Sequence, residues 1–586
     1  MLVYGDVEHT VTVGAKQAAI ESILSEIPFM PAGIVRHGAL VTAFVATGEL
    51  VQGLIDAEFH ELGVDTLSPT HRNGMDCLFM LACAIDRSWR SGFKESSVQG
   101  EFLAKLFSFD PSGMIHAKQA EGYAFYALYP ENYLEAARAS GLGPDTQVIG
   151  IRSIGTGLGA LVAAALGASA PLTLRPTGHP FRREVNVDRP LAKSLAKQAG
   201  AFAIVDEGPG LSGSSFGAVA DWLEEAGVPR QRIHFFPSHE GLLGPQASPK
   251  HRERWDLAPR HVRTMDDLLF GEVGCHRLTT WVEDLVGPLD APLEEISGGE
   301  WRRHRYQDEA SWPPSILQQE RRKFLARGSG KSWMVKFAGL GETGSRKLRM
   351  ARRLHEAGFA PAVAGLRHGF LVQIWHEDGR SLDQITFDRD RLIGQVGAYL
   401  GFRARQYPAA GQPGASLGEL RHMAVYNAQQ ALGDDVGAFL DRSLPPPDNL
   451  EGQVRRVWSD NRMHLWEWLV SRDRLFKADA LDHGSAHDLI GHQDIAWDIA
   501  GAVVELNLSE SETARLCTIV ERESGYPVAP ELLAFLIPCY CAFHMGASLM
   551  AAGAIGGAEE ARLRGAADHY GQLLKRHESL GLGLRS

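Results

Sequence analysis

The sequence predicts a multidomain α/β protein, with a helical N-terminal region over 1–115, a parallel-sheet region over 116–295 and an α+β region over 296–586. Three observations predict it. A chain of 586 residues exceeds what one hydrophobic core organises. Four apolar runs that stop at glycine-rich or acidic turns, "TQVIGIRSIGTG", "APLTLRPTG", "AFAIVDEGPG" and "RIHFFPSHEG", alternate with helical stretches, the pattern of parallel strands joined by crossover helices. Further on, "RRKFLARGSGKSWMVKF" reads as two strands around a Gly-Ser-Gly turn, and helical periodicity dominates after about Asp388.

The N-terminal region earns its helices from "VTAFVATGELVQGLIDAEFHELG" and "MDCLFMLACAIDRSW", in which apolar residues recur at helical spacing. Between the second and third regions, "APLEEISGGEWRRHRYQDEASWPPS" has the glycines, prolines and charges of a linker. "SLPPPDNLEG" is a loop on composition. Lys and Arg total 59 against 71 Asp and Glu, a net charge of −12 that argues against a nucleic-acid partner. Six cysteines without CxxC spacing give neither a disulfide framework nor a cysteine zinc site, which fits a reducing cytoplasm. The opening "MLVYGDVEHTVTV" lacks a signal-peptide pattern, and no later apolar run reaches membrane-spanning length without charges, so no membrane association is expected.

In "AFAIVDEGPGLSGSSFGAVADWLEEAGV" four apolar residues lead to Val205, so Asp206 and Glu207 emerge where a strand stops, the usual ligand position in an open parallel sheet. The turn that follows offers bare amides at Gly210 and Gly213 and hydroxyls at Ser212, Ser214 and Ser215, ahead of a helix whose N-terminus favours an anion. Phosphate on the turn and ribose hydroxyls on the acids satisfy both halves.

This motif resembles that of the type I phosphoribosyltransferases: an apolar strand, two adjacent acids, and a small hydroxyl and glycine turn that holds the 5-phosphate of phosphoribosyl pyrophosphate. The likeness covers about 148–241 and includes the order of elements. "VIGIRSIGTGLGALVAAALG" resembles the family's pyrophosphate loop, with Arg152, Gly155, Thr156 and Gly157. "LRPTGHPFRREVNV" falls at the mobile hood, with Arg175, Arg182 and Arg183. The resemblance implies that Asp206 and Glu207 serve catalysis, the other residues bind substrate, and Mg²⁺ is the cofactor. The serine turn is one residue longer than the common family loop.

From about Lys323 onward the chain resembles the aminoglycoside-phosphotransferase branch of the protein-kinase-like fold. Lys336 ends the strand of "SWMVKFAGLG"; "WSDNRMHLWEWL", "RLFKADALDHG" and "HQDIAWDIAGAVVEL" follow in the family's order. The resemblance implies that Lys336 grips nucleotide phosphates, Asp479 and Glu467 hold the metal, His464 is the loop histidine, and the Asp494–Asp498 stretch braces the catalytic loop. Arg462 falls where the family has its catalytic aspartate, with Asp460 two residues earlier. "SRKLRMARRLHEAG" is basic where the lysine's glutamate partner belongs, leaving Glu342 and Glu356 as the nearby acids. "GSGK" is a hairpin turn, too short for a Walker A loop; His483, His487 and His492 make a hydrogen-bonded loop, and "CYCAFHM" is core packing.

Together these features predict a Mg²⁺-dependent phosphoribosyltransferase fused to a kinase-like unit that binds ATP or another nucleotide and transfers phosphate slowly or not at all. Its partners are small phosphorylated metabolites. The alternative is a regulatory protein that senses phosphoribosyl pyrophosphate or nucleotide without catalysis.

Overall fold

The computed structural model describes residues 1–583 apart from 6, 7, 99, 211, 272, 273, 410 and 413. Leu211, inside the predicted phosphate turn, therefore lies outside the described residues. The chain opens with strand β1 (Glu8–Thr12), which pairs antiparallel with β2 (Met114–Lys118) across a bundle that includes helices Ile34–Leu62 and Pro69–Arg90. The two helices predicted from periodicity are both present. Their ends have local causes: Gly63, with φ of 72°, stops the first, and the Ser68 hydroxyl accepts from the His71 N–H to start the second. The pairing of β1 with β2 was not expected in a helical region, and it crosses the predicted boundary at 115/116.

The central unit is a four-stranded parallel sheet in the order β4-β3-β7-β8, formed by β3 (Gln147–Ile151), β4 (Leu172–Leu174), β7 (Phe202–Val205) and β8 (Ile233–Phe236). All four predicted strand ends fall on it. Between β4 and β7 the chain makes a small hairpin of β5 (Thr177–His179) and β6 (Arg182–Glu184). The strands read as unbroken apolar runs because both faces are covered. Alternate residues serve different cores: Val148, Ala203 and Val205 pack toward the N-terminal helices, while Ile149, Ile151, Phe202 and Ile204 pack with Phe216 and Trp255 on the other face.

The C-terminal unit begins with a five-stranded sheet ordered β12-β13-β11-β10-β9, from β9 (Glu294–Glu295), β10 (Lys323–Gly328), β11 (Lys331–Phe337), β12 (Val363–Arg367) and β13 (Phe370–Trp375). Ser329 and Gly330 turn β10 into β11 with positive φ, as expected for "GSGK". A second, three-stranded sheet, β14 (Arg380–Ser381), β15 (Trp468–Ser471) and β16 (Arg474–Lys477), lies among the helices that follow. Cys539 and Cys541 are buried core residues of helix Pro530–Gly553, and all six cysteines are free. The "SLPPPDNLEG" loop carries two short 3-10 turns.

The predicted linker is a packed part of the fold. Within it β9 joins the sheet edge, Ile296 is buried, and Arg302 is buried against Glu559 at 2.9 Å. The 295/296 boundary thus cuts into an ordered unit. Composition misled here because glycine, proline and charge also describe a segment whose arginine is paired far along the chain. Residues 1–5 depart from their assigned region as well: Val3 enters the C-terminal core, and the Leu2 N–H donates to Asn427 at 2.7 Å. One apolar core runs from Ile20 and Phe44 through Leu158 to Phe324, Val335 and Phe337, joining all three regions. Two helices, Ile34–Leu62 and Pro530–Gly553, are long and apolar enough to cross a membrane by length and composition, contrary to the expectation that no run would be. The second has 83% of its apolar window buried within the protein, as a core helix does.

Candidate functional sites

Two clefts gather ionisable residues singled out from the sequence, and segment 119–129 lies between them. The first opens over the carboxyl ends of β3 and β7. It encloses about 710 Å³ and is lined by Ser153, Ile154, Asp206, Glu207, Gly208 and Gly210, among others. The Asp206 Oδ1 accepts the Glu207 N–H at 2.8 Å, and Glu207 Oε2 accepts the Gly122 N–H at 3.2 Å. Among the described residues no ion pair reaches either carboxylate. Both residues keep some surface open to the cleft, but their carboxyl groups sit deep in it. Burial pushes Asp206 up to about 7, and burial together with the Asp206 charge pushes Glu207 up to about 8.

The glycine and serine positions divide. Gly210 lines the cleft with φ of 62°, whereas Gly213 starts helix Ser214–Glu225 with φ of 60° and its missing Cβ leaves room for Leu243. Ser212 and Ser214 donate their hydroxyls to the Pro180 carbonyl at 3.1 and 2.6 Å, so the β5–β6 hairpin is seated on the predicted phosphate turn. Ser215 lies in the first turn of that helix, partly exposed.

The arginines depart most from expectation. Arg152 does not face the cleft: its side chain is buried, with Nε on Asp56 at 2.9 Å, Nη1 on Thr173 Oγ1 at 3.1 Å and Nη2 on Asp65. Arg175 donates to Asp56 and, at 2.8 Å, to the Arg152 carbonyl. Burial alone would raise Asp56, but Arg175 and Arg152 outweigh it and hold the carboxyl below its usual range. The sequence could not show that helix Ile34–Leu62 delivers Asp56 to the guanidinium. Arg182 and Arg183 lie on β6, the first exposed and the second donating to the Gly178 carbonyl at 3.0 Å. Gly155, Thr156 and Gly157 are buried in the helix Gly155–Leu166. A Cβ on Gly155 would come within 2.6 Å of the Val205 carbonyl, and one on Gly157 within 3.2 Å of Phe44. Close packing accounts for these glycines; the cleft is reached by Ser153 and Ile154.

The second cleft lies between the five-stranded sheet and the C-terminal helices, encloses about 190 Å³, and is lined by Lys336, Arg462, His464, Glu467, Asp479 and Asp482 with several aromatic rings. Lys336, on β11, reaches Asp479 at 2.5 Å and also Asp482. Burial would lower the Lys336 pKa, but the two aspartates raise it. Lys347, on the buried face of helix Gly341–Glu356, holds Asp482 at 2.5 Å; burial pulls it down to about 8 against that partner. Glu342 pairs instead with the exposed Arg349 and Glu356 is exposed, so neither nearby acid meets Lys336. Asp482 was not singled out from the sequence; its place three residues beyond Asp479 is the only local signal.

Glu467 Oε2 accepts from Lys477 Nζ at 2.9 Å, and that same ammonium lies 3.2 Å from Asp460. Asp460 is 1% exposed, bonded to Tyr399, and stands behind the cleft wall, while Arg462 lines the cleft and reaches Gln319 at 2.8 Å. His464 meets Glu505 at 3.1 Å. Asp498 accepts the Asp460 and Asn461 N–H groups at 2.7 and 2.8 Å, and Asp494 caps helix Ile495–Glu505, which is the bracing role expected of that stretch. Of the residues that a metal needs, Asp479 Oδ1 is buried without a hydrogen-bond partner among the described residues, so one oxygen remains for a cation. His483 lies 3.8 Å from Glu467, His487 lines the cleft, and His492 packs on Trp458.

The separating segment touches both sides. Besides the Gly122 contact with Glu207, the Phe125 carbonyl accepts from Arg321 at 3.0 Å and Tyr126 meets His487 at 3.1 Å.

No protein-family model matches the chain, and no curated protein matches it. Solved structures of kinases align with about half of the chain. The choline kinase LicA from Streptococcus pneumoniae is 19% identical over 43% of this chain and 89% of its own, with a TM-score of 0.28. A choline/ethanolamine kinase family protein from Mesorhizobium loti is 13% identical over 49% and 88%, TM-score 0.29. A spectinomycin phosphotransferase in complex with ADP and spectinomycin is 12% identical over 43% and 85%, TM-score 0.30. At TM-scores of this size the alignments decide nothing about chemistry.

Proposed function

We propose that the protein is a Mg²⁺-dependent phosphoribosyltransferase that binds phosphoribosyl pyrophosphate, or a related ribose phosphate, over the Asp206–Glu207 pair. The C-terminal unit is a nucleotide-binding, kinase-like module with little or no phosphotransfer. The observation that carries the first half is the acid pair itself: two adjacent carboxylates at the carboxyl end of a central parallel strand, raised chiefly by burial to about 7 and 8, with no ion pair on either among the described residues. Such a pair is stabilised by ribose hydroxyls that donate to it or by a cation that offsets its charge.

In this reading Asp206 and Glu207 orient the ribose and favour the positive character that develops at its C1 when pyrophosphate departs. Bound Mg²⁺ supplies charge neutralisation for the pyrophosphate. The Ser153–Ile154 turn and the amides near Gly210 hold the phosphate groups, and seating the 5-phosphate on Ser212 and Ser214 requires the Pro180 turn to lift. Arg152 and Arg175 support the loop from behind through Asp56 and Asp65. In the C-terminal unit, Lys477 on Glu467 and Arg462 in place of a base favour binding over transfer. That same saturation supports the second reading, a cytoplasmic sensor of these metabolites.

The test is pyrophosphate release by the full chain with Mg²⁺, phosphoribosyl pyrophosphate and a panel of nitrogenous acceptors, with calorimetry of the same ligand. Binding with release supports the enzyme. Binding without release on any acceptor supports the sensor, and no binding removes both.

A further inference from the structure

Outside both clefts, His37 on helix Ile34–Leu62, Glu131 on helix Pro130–Ala139 and His368 in the turn between β12 and β13 meet in the shared core. We propose that these three residues bind one divalent transition-metal ion of the zinc class, which fastens the N-terminal helices to the C-terminal sheet. The His37 Nε2 lies 2.7 Å and the His368 Nε2 3.3 Å from Glu131 Oε1, and one donor atom from each residue falls within 4.8 Å of the others. Tetrahedral zinc with bonds of about 2.0–2.1 Å requires donors roughly 3.4 Å apart; the His368 contact is close to that spacing, and the His37 contact is shorter and must open slightly to admit an ion.

Two further observations point to an ion rather than to a set of hydrogen bonds alone. Glu131 Oε2 and His368 Nε2 are buried without a hydrogen-bond partner among the described residues. An ion held by Glu131 and the two imidazoles would give these buried atoms a partner. The other nitrogen of His37 is 2.9 Å from the Ser88 hydroxyl, the outer contact that fixes a ligating ring. The electrostatics agree. All three side chains are 0–1% exposed, and no lysine or arginine forms an ion pair with Glu131 among the described residues. A carboxylate in so dry a place needs a counter-charge, which either protons on the two imidazoles or a divalent ion can supply. Cysteine and histidine spacing along the chain conceals the site because its donors lie 94 and 237 positions apart (131 − 37 and 368 − 131).

The test is elemental analysis of the tag-free, full-length protein, with X-ray absorption at the metal edge and with the Glu131→Gln variant alongside. Close to one zinc per chain, an edge spectrum fitted by two imidazoles and a carboxylate, and loss of the metal from the folded variant are expected. Trace metal only in a wild-type protein offered zinc during refolding would leave a proton-bridged triad and overturn the proposal. So would a thiolate-dominated spectrum, or full metal retention by the variant. Should the variant fail to fold, the wild-type spectrum still decides. None of these readouts depends on the activity proposed above.

Discussion

The two clefts treat their carboxylates oppositely. In the first, no ion pair reaches Asp206 or Glu207 among the described residues and the Arg175 charge only partly offsets burial at Asp206, so both are partly protonated near neutral pH. In the second, Asp479 and Asp482 share Lys336, Asp482 also holds Lys347, and Glu467 shares Lys477 with Asp460, so Asp479, Asp482 and Asp460 stay ionised well below their usual range although buried. The difference teaches where a ligand is needed. A cleft whose charges are already balanced is stable when empty, whereas one with uncompensated acids is poised for a cation or a donor-rich ligand.

The strongest way to break this contrast is at Asp482. Asp482→Ala leaves Lys336 and Lys347 without their shared buried partner, and destabilisation of about 3–5 kcal/mol is expected by chemical denaturation of the full chain. A loss below 1 kcal/mol would mean that the lysines are free to serve a ligand. The corresponding change in the first cleft acts on function. Asp206→Asn with Glu207→Gln is expected to lower phosphoribosyl pyrophosphate turnover by about 100-fold or more, while the protein stays folded. Unchanged calorimetric affinity and turnover would dissolve the proposed site.

A third measurement sharpens the comparison through pH. Because the folded pKa values of the acid pair lie above the ordinary carboxyl values of 3.8 and 4.5, its contribution to stability is fully present below about pH 4 and is lost as pH rises through about 7 and 8. The double variant is therefore expected to melt roughly 2–4 °C above wild type at pH 9, with the gap closing toward pH 5. Mg²⁺ is expected to narrow the gap from the wild-type side. A gap independent of pH and Mg²⁺ would show that the acids are not the uncompensated groups. The smallest effect belongs to the hairpin. Arg182→Ala, at an exposed position with no ion pair among the described residues, is expected to shift stability by no more than about 0.5 kcal/mol. If it also leaves pyrophosphate affinity unchanged, the hood assignment of β6 is lost.

Local signals determined a good part of this molecule. Four apolar runs became the four parallel strands, because a strand covered on both faces must be apolar at every position. Helical periodicity placed Ile34–Leu62 and Pro69–Arg90, and the position of Asp206 and Glu207 just past a strand fixed them at the cleft. What the sequence could not determine is which charges cancel. Arg152 and Arg175 occupy a loop suited to an anion, yet Asp56 and Asp65, from segments about a hundred residues away, take their guanidiniums. Asp482 replaces an expected glutamate, and His37, Glu131 and His368 converge from three regions. Burial sets the energy of a charge, and burial belongs to the packed chain: periodicity reports which face of an element is apolar, but the partner that meets a charged group is chosen only when distant elements close around it.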